Sequence, residues 1–314
     1  MTDLAMTERS ARQFNYWRRY LTGVAYRMLG SVTEAEDVVQ DAYLRWHGSD
    51  CSSVTDVRAY LTTIISRLCL DRLKAVHRQR EIYVGPWLPE PLVESLEAPV
   101  GAEALANDVT FALMLALERL SPLERAAFLL HDVFGIDFGQ IALSLDRNEA
   151  SCRQLASRAR KKVQAACPRY PVTPHQHNQL TERFFSAARS GDVTELKALL
   201  SEHATLHTDG GGKRIAARRV IFGADKICRF FRGLARKPSS SGPHWVKPVS
   251  VNGLPGWLTI ERDGLPQVTT VEIAGDRIEG LYVVRNPDKL HHLVDQLPEQ
   301  FMEDGISVET SFNE

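Results

Sequence analysis

A chain of 314 residues, 44% hydrophobic and 25% charged, is long enough for two or three globular domains with real cores. Its 38 Lys+Arg against 39 Asp+Glu give a formal net charge of -1, which excludes a uniformly basic nucleic-acid binder and requires charge to be read segment by segment. Five scattered cysteines without a CxxC pair exclude a disulfide framework or cysteine zinc site, and no apolar run is long enough to span a bilayer, so a cytoplasmic, non-membrane protein is expected.

Phe14, Trp17, Leu21, Val24 and Met28 recur at helical spacing and predict a first helix ended by Gly30. Thr33, three residues before Glu36, reads as a capping box opening a second helix that buries Ala35, Val38, Val39, Ala42, Tyr43 and Trp46. Its other face carries Glu34, Glu36, Asp37, Gln40 and Asp41: either a solvated surface suited to the positive end of the helix dipole or a docking face. After the polar loop 47–56, a third helix buries Tyr60, Leu61, Ile64, Ile65 and Leu68. It ends in Arg67, Arg72, Lys74, His77, Arg78 and Arg80, denser than capping needs and suited to tracking phosphates.

These stretches resemble a known family. AYRMLGSVTEAEDVVQDAYLRW is similar to the polymerase-docking helix of extracytoplasmic-function sigma factors, and VRAYLTTIISRLCLDRLKAVHRQRE to the helix that melts and reads the minus-ten promoter element. The resemblance implies that Glu36, Asp37, Gln40 and Asp41 face the clamp of core RNA polymerase, and that Arg67, Arg72, Lys74, Arg78 and Arg80 meet minus-ten DNA. It also implies that the loop before the third helix holds an extruded base, by the stacking and basic-groove contacts that hold single strands.

Residues 82–104 hold Pro86, Pro89, Pro91 and Pro99 and only acidic charge, which reads as a stiff, extended interdomain linker, with Trp87 left in need of something to pack on. Helical spacing resumes near Val109, and SPLE at 121–124 is a helix start with Ser121 as cap and Pro122 at the first position. A short helix from Phe138 to Leu145, a turn at Asp146 and Arg147, and a helix capped by Asn148 make a helix-turn-helix. In the second helix Cys152, Leu155, Ala156, Ala159 and Val163 face inward, while the other positions carry a local charge of +4. A plain helical hairpin is the alternative to a recognition helix whose early residues touch bases and whose later cations grip phosphates. SPLER, GQIA and ARKKV also resemble the sigma module for the minus-thirty-five element. That implies promoter contacts by Asn148, Glu149, Ser151, Arg153, Gln154, Arg158, Lys161 and Lys162. Leu155 departs from the basic residue common there, so no base preference carries over.

A second proline-punctuated linker, 168–178, contains His175 and His177, which lack partners at metal-ligand spacing, so no metal and no cofactor is expected. A helix with Phe184, Phe185, Ala188 and Leu196 to Leu200 follows, then the strand ATLHT, the turn DGGGK, an amphipathic helix over GADKICRFFRGLAR, and several hairpin-linked strands. Lys213 is followed by Arg214 and Ile215 instead of a hydroxyl residue, which excludes a phosphate loop and leaves the glycines a backbone role.

The fold class expected is multidomain: two all-α sigma modules, a helical bundle and a helix-turn-helix, then an α+β domain resembling the SnoaL-like cone with a curved antiparallel sheet. The domains expected are 8–81, linker 82–104, 105–167, linker 168–178, 179–295 and a tail 296–314. WLPEP at 87–91, DGGGK at 209–213 and NPDKL at 286–290 resemble the marks of a sigma-factor subgroup with this extension. The resemblance implies a regulatory contact among Trp87, Leu88, Pro89, Glu90, Pro91, Asp209, Gly210, Gly211, Gly212, Lys213, Asn286, Pro287, Asp288, Lys289 and Leu290. It implies core RNA polymerase and promoter DNA as partners, no separate anti-sigma factor, and no catalysis. A small-molecule ligand in the last domain stays open, as does a polymerase-independent, ligand-sensing DNA-binding regulator.

Overall fold

The computed structural model describes residues 2–49, 54–80, 83–95, 109–166, 174–237 and 242–301. Helix α1 (Thr2–Leu29) buries Phe14, Leu21, Val24 and Met28 and stops at Gly30, whose φ of +74° favours glycine. A Cβ there would also come within 2.9 Å of the Trp87 ring. Helix α2 (Val32–His47) starts earlier than the expected capping box at Thr33 and Glu36: Ser31 is the N-cap, its hydroxyl accepting from the Glu34 N–H at 3.1 Å. In α3 (Val57–Arg80) Leu61, Ile65 and Leu68 face in as expected, but Tyr60 is exposed. Thr62 and Ser66 turn inward instead, because their hydroxyls donate back to Arg58 O and Thr62 O at 2.7 Å, leaving no polar atom unsatisfied.

The second module is α4 (Phe111–Glu118), α5 (Pro122–Phe128) with the Ser121/Glu124 capping box, a π-helical turn at Leu129–Val133, α6 (Phe138–Leu145) and α7 (Glu149–Ala166). The turn after α6 is closed by Asp146 at φ +53°, and Asn148 Oδ1 caps α7 by accepting from the Ser151 N–H at 2.8 Å. The helix-turn-helix therefore forms where its caps predict. The two modules are not separate bodies: one apolar core runs from Phe14 and Leu21 through Leu61 and Ile65 to Leu129 and Val163. Polar stitches cross it, with buried Arg125 donating to Arg27 O at 3.0 Å, Thr63 and Ser144 hydroxyls 2.9 Å apart, and Arg67 donating to Leu143 O at 2.9 Å.

The third unit comprises α8 (Pro174–Ser190), α9 (Val193–Leu199), β2 (Leu200–Asp209), β3 (Ile221–Phe222), α10 (Ala224–Ala235), β4 (Trp245–Val251), β5 (Leu254–Ile260), β6 (Pro266–Ala274) and β7 (Arg277–Val284). The single helix expected before ATLHT is two, split where Gly191 adopts φ +70° and Asp192 caps α9. His177 lies in α8, not in a linker, and is buried with its Nε2 3.0 Å from Val271 O; burial lowers its pKa. With β1 (Val93–Glu94) at one edge, the sheet order is β1-β4-β5-β6-β7-β2-β3, and β2 runs parallel to β7 while every other pair is antiparallel. The sheet is thus mixed where an antiparallel one was expected. Strand β1 comes from the segment expected to be a stiff, extended linker.

Alternation along the strands gives the sheet two apolar faces. Leu281 and Val283 pack with Val271, Leu196 and Phe184 under α8, α9 and α10. Tyr282 and Val284 pack on the other side with Leu258, Leu88, Val93 and, from the helix-turn-helix module, Phe111. Phe111 is fully buried and stacks on Tyr282 at 5.2 Å, so the helical modules complete one face of the sheet.

Candidate functional site

The three sequence words meet at one buried carboxylate. Asp209 ends β2 and is 1% exposed. Its Oδ1 accepts from the Tyr83 hydroxyl at 2.6 Å and the Gly211 N–H at 3.0 Å; its Oδ2 accepts from the Leu88 N–H at 2.8 Å and Lys289 Nζ at 2.7 Å. Lys289 also donates to Leu88 O and lies 4.4 Å from the Trp87 ring centre and 4.7 Å from that of Tyr83. These charge-assisted bonds and cation–π contacts meet what a buried ion pair needs to offset its desolvation. Burial, with Asp209 beside it, pushes the Tyr83 hydroxyl's pKa far up, so it stays a proton donor to the carboxylate.

The glycines serve this node. Gly211 sits at φ +62°, and any Cβ there would overlap the Asn286 side chain, which itself donates to the Tyr83 hydroxyl at 2.9 Å. Lys213 reaches Asp288 at 2.7 Å, but both are more than half exposed, so that pair contributes little.

Further along the linker, Glu90 caps α2. Its carboxylate accepts from the Ser31 hydroxyl and the Val32 N–H, both at 2.7 Å, and from the Thr33 N–H at 3.2 Å, at the positive end of the helix dipole. Its backbone is held too: Glu90 N–H donates to Gly30 O at 2.9 Å and Glu90 O accepts from the Tyr26 hydroxyl at 2.8 Å. Pro91 O lies 3.0 Å from His292 Nε2.

Asn252, absent from the sequence-based candidates, joins all the units. It is fully buried at φ +53°, the first loop residue of the β4–β5 hairpin. Its Nδ2 donates to the Tyr26 hydroxyl at 2.8 Å and Val109 O at 3.0 Å, and its Oδ1 accepts from the Leu92 N–H at 3.1 Å. The signal was present in the sequence: Asn-Gly at 252–253 is a type I′ hairpin pair, and both residues have positive φ. Only the fold reveals that the turn points into a three-way junction.

On β2, His207 stacks on Tyr282 at 5.3 Å, and burial together with Arg119 pulls its pKa down to about 4. Burial raises the pKa of the neighbouring Glu272, which accepts from the Tyr282 hydroxyl at 3.0 Å. Because the folded pKa of His207 lies below the ordinary 6.5, its contribution to stability is complete above pH 6.5 and is lost as pH falls toward 4. His207→Phe should flatten urea stability between those two pH values relative to the parent, since the ring stacking is kept and the titration removed.

The nucleic-acid candidates are split. Arg153, Gln154, Arg158 and Lys161 are exposed along α7, whereas Lys162 pairs with Glu124 at 3.0 Å. Arg153 also pairs with Glu149 at 2.6 Å and lies 4.8 Å over Phe138. On the first module Glu36 and Gln40 are exposed, but Asp37 and Asp41 are bridged by Arg72 at 3.3 and 3.2 Å, joining residues expected to serve different partners. Lys74 pairs with Asp71, and the Arg78 and Arg80 side chains lie outside the described residues. Among the described residues no group of His, Cys, Asp and Glu is placed to hold a metal, and no helix is long and apolar enough to cross a membrane.

Residues 14–79 match the model of sigma-70 region 2 and residues 110–163 that of sigma-70 region 4. The chain is 40% identical to the ECF RNA polymerase sigma factor SigJ of Mycobacterium tuberculosis, over 88% of this chain and 92% of that protein. It belongs to the extracytoplasmic-function sigma factors. This family directs promoter-specific initiation of transcription, and its members are not enzymes. A second relative of this sigma factor, the probable ECF sigma factor SigI of the same species, is 32% identical over 88% of this chain and 93% of its own length. The crystal structure of M. tuberculosis SigJ superposes with a TM-score of 0.74 at 39% identity, covering 90% of this chain and 98% of that one. The similarity thus includes the sheet domain as well as the two sigma regions.

Proposed function

We propose that this sigma factor binds core RNA polymerase and promoter DNA in the cytoplasm, and that its sheet domain is a built-in regulator that fixes the placement of the two sigma modules without a separate anti-sigma factor. The observation that carries the reading is the convergence of WLPEP, DGGGK and NPDKL on Asp209, which ties the inter-module linker to the sheet. Its consequence is geometric. Elements named minus-ten and minus-thirty-five lie about 25 base pairs, or about 85 Å of duplex, apart. Here α3 touches α6 through Thr63 and Ser144. Both elements cannot be read in this packed arrangement, so the sheet domain holds a closed state that polymerase and promoter must open.

Glu36, Asp37, Gln40 and Asp41 serve as the polymerase face in this reading, and the Arg72 bridge to Asp37 and Asp41 is one of the contacts released on docking. Run-off transcription with core polymerase on a promoter library tests it. The intact chain should give specific transcripts, and Trp87→Ala should change their level. An absence of transcripts from the intact chain overturns the initiation reading, and equal output from both overturns the regulatory one. Within α7, Arg153→Ala or Gln154→Ala should cost about 1–3 kcal/mol on promoter duplex and change base preference. Lys161→Ala should instead weaken all sequences and lower the salt dependence, both read by fluorescence anisotropy.

A further inference from the structure

Between Lys213 and Lys237 the sequence holds nine Lys or Arg and one acid, Asp225, a local charge of +8 in a chain whose total is -1. Two of the nine are engaged within the domain, Arg214 by Asp263 and Lys213 by Asp288, and Asp225 is itself taken by Lys197 at 2.6 Å. The other seven are exposed, and among the described residues none pairs with a carboxylate.

Their arrangement is regular. Lys226, Arg229, Arg232 and Arg236 follow one another at steps of three, three and four, which aligns them along one side of α10 over about 15 Å. Arg218 and Arg219 extend the surface into the loop before β3, beside Phe222, which is 62% exposed. The apolar side of α10, with Ile227 and Cys228, is buried in the domain core and cannot enter a lipid surface. Seven exposed cations whose one interleaved acid, Asp225, is taken by Lys197 suit a polyanion of dense, regular charge; duplex DNA presents one phosphate per about 1.7 Å of axis. A protein partner fits less well, since the cores of protein interfaces are depleted in charged residues.

We propose that α10 and the loop before β3 form a second, sequence-independent DNA surface that grips the phosphates of duplex flanking the promoter. This contact is additional to those of α7 and does not depend on the regulatory reading. The test is salt-dependent binding of the full chain to a duplex lacking promoter elements, comparing the parent with Lys226→Gln/Arg229→Gln/Arg232→Gln. If all three contact phosphate, the slope of log K against log salt should fall in magnitude by about 2.7. Arg218→Gln/Arg219→Gln, in the loop and outside the helix, should lower it by about 1.8 and keeps the test available if the triple variant misfolds. Slopes unchanged in folded variants overturn the proposal. Loss of core-polymerase binding with DNA slopes intact also overturns it and assigns the surface to polymerase.

Discussion

Replacing Asp209 by alanine should cost about 3–5 kcal/mol of stability, the range for removing one partner from a buried ion pair. The reason lies in what is left behind. Lys289, with 10% of its side chain exposed, would lose its buried carboxylate partner, while the Leu88 N–H and the Tyr83 hydroxyl would lose their acceptor. Lys289→Met added to Asp209→Ala should recover part of the loss, because no unpaired charge then stays buried; full recovery is not expected while the Leu88 N–H is unsatisfied. Urea unfolding followed by tryptophan fluorescence measures both, with Trp87 reporting locally. A loss under about 1 kcal/mol for the single variant would place the node among contacts of surface strength and contradict its role as the tie between linker and sheet.

Asn252→Ala should cost about 3 kcal/mol, from two lost donors, one lost acceptor and an alanine held at φ +53°. Asn252→Gly separates the causes: it accepts the backbone but makes none of the side-chain bonds, so it should recover about 1 kcal/mol and no more. The distinctive outcome is where the damage shows. A residue of the β4–β5 turn would, when replaced, raise hydrogen exchange in α1 around Tyr26, in the linker around Leu92 and at the start of α4 around Val109, because its partners lie in all three. Exchange changes confined to β4 and β5 would reduce Asn252 to a hairpin turn residue.

The helices and their caps were legible in the sequence because their determinants are local. Ser121 with Glu124 and Asn148 before α7 act within a few residues of themselves. The α2 cap was misplaced because half of it comes from Glu90, nearly sixty residues away, so Thr33 looked the better candidate. The strand pairing of the linker was missed for a similar reason: prolines do enforce extended backbone, but an extended segment can pair as readily as it can span, and Val93–Glu94 pairs with β4. The parallel β2–β7 pairing and the shared core of the two helical modules rest on contacts between residues distant in sequence, which periodicity does not encode. The site was legible as three words but not as a charge network; that Lys289 and not Lys213 is the buried partner of Asp209 follows only from where the chain folds back.

The most direct test is the distance between the sigma modules in the intact protein, measured by energy transfer between unnatural amino acids at exposed Leu44 and Ser157, which leaves the native thiols untouched. The account predicts one short distance for the parent chain alone, a long one with core polymerase and promoter DNA, and a shift toward the long form in Asn252→Ala and Asp209→Ala without polymerase. A distance distribution that is the same in parent and variants would contradict the claim that the sheet domain sets the placement of the modules.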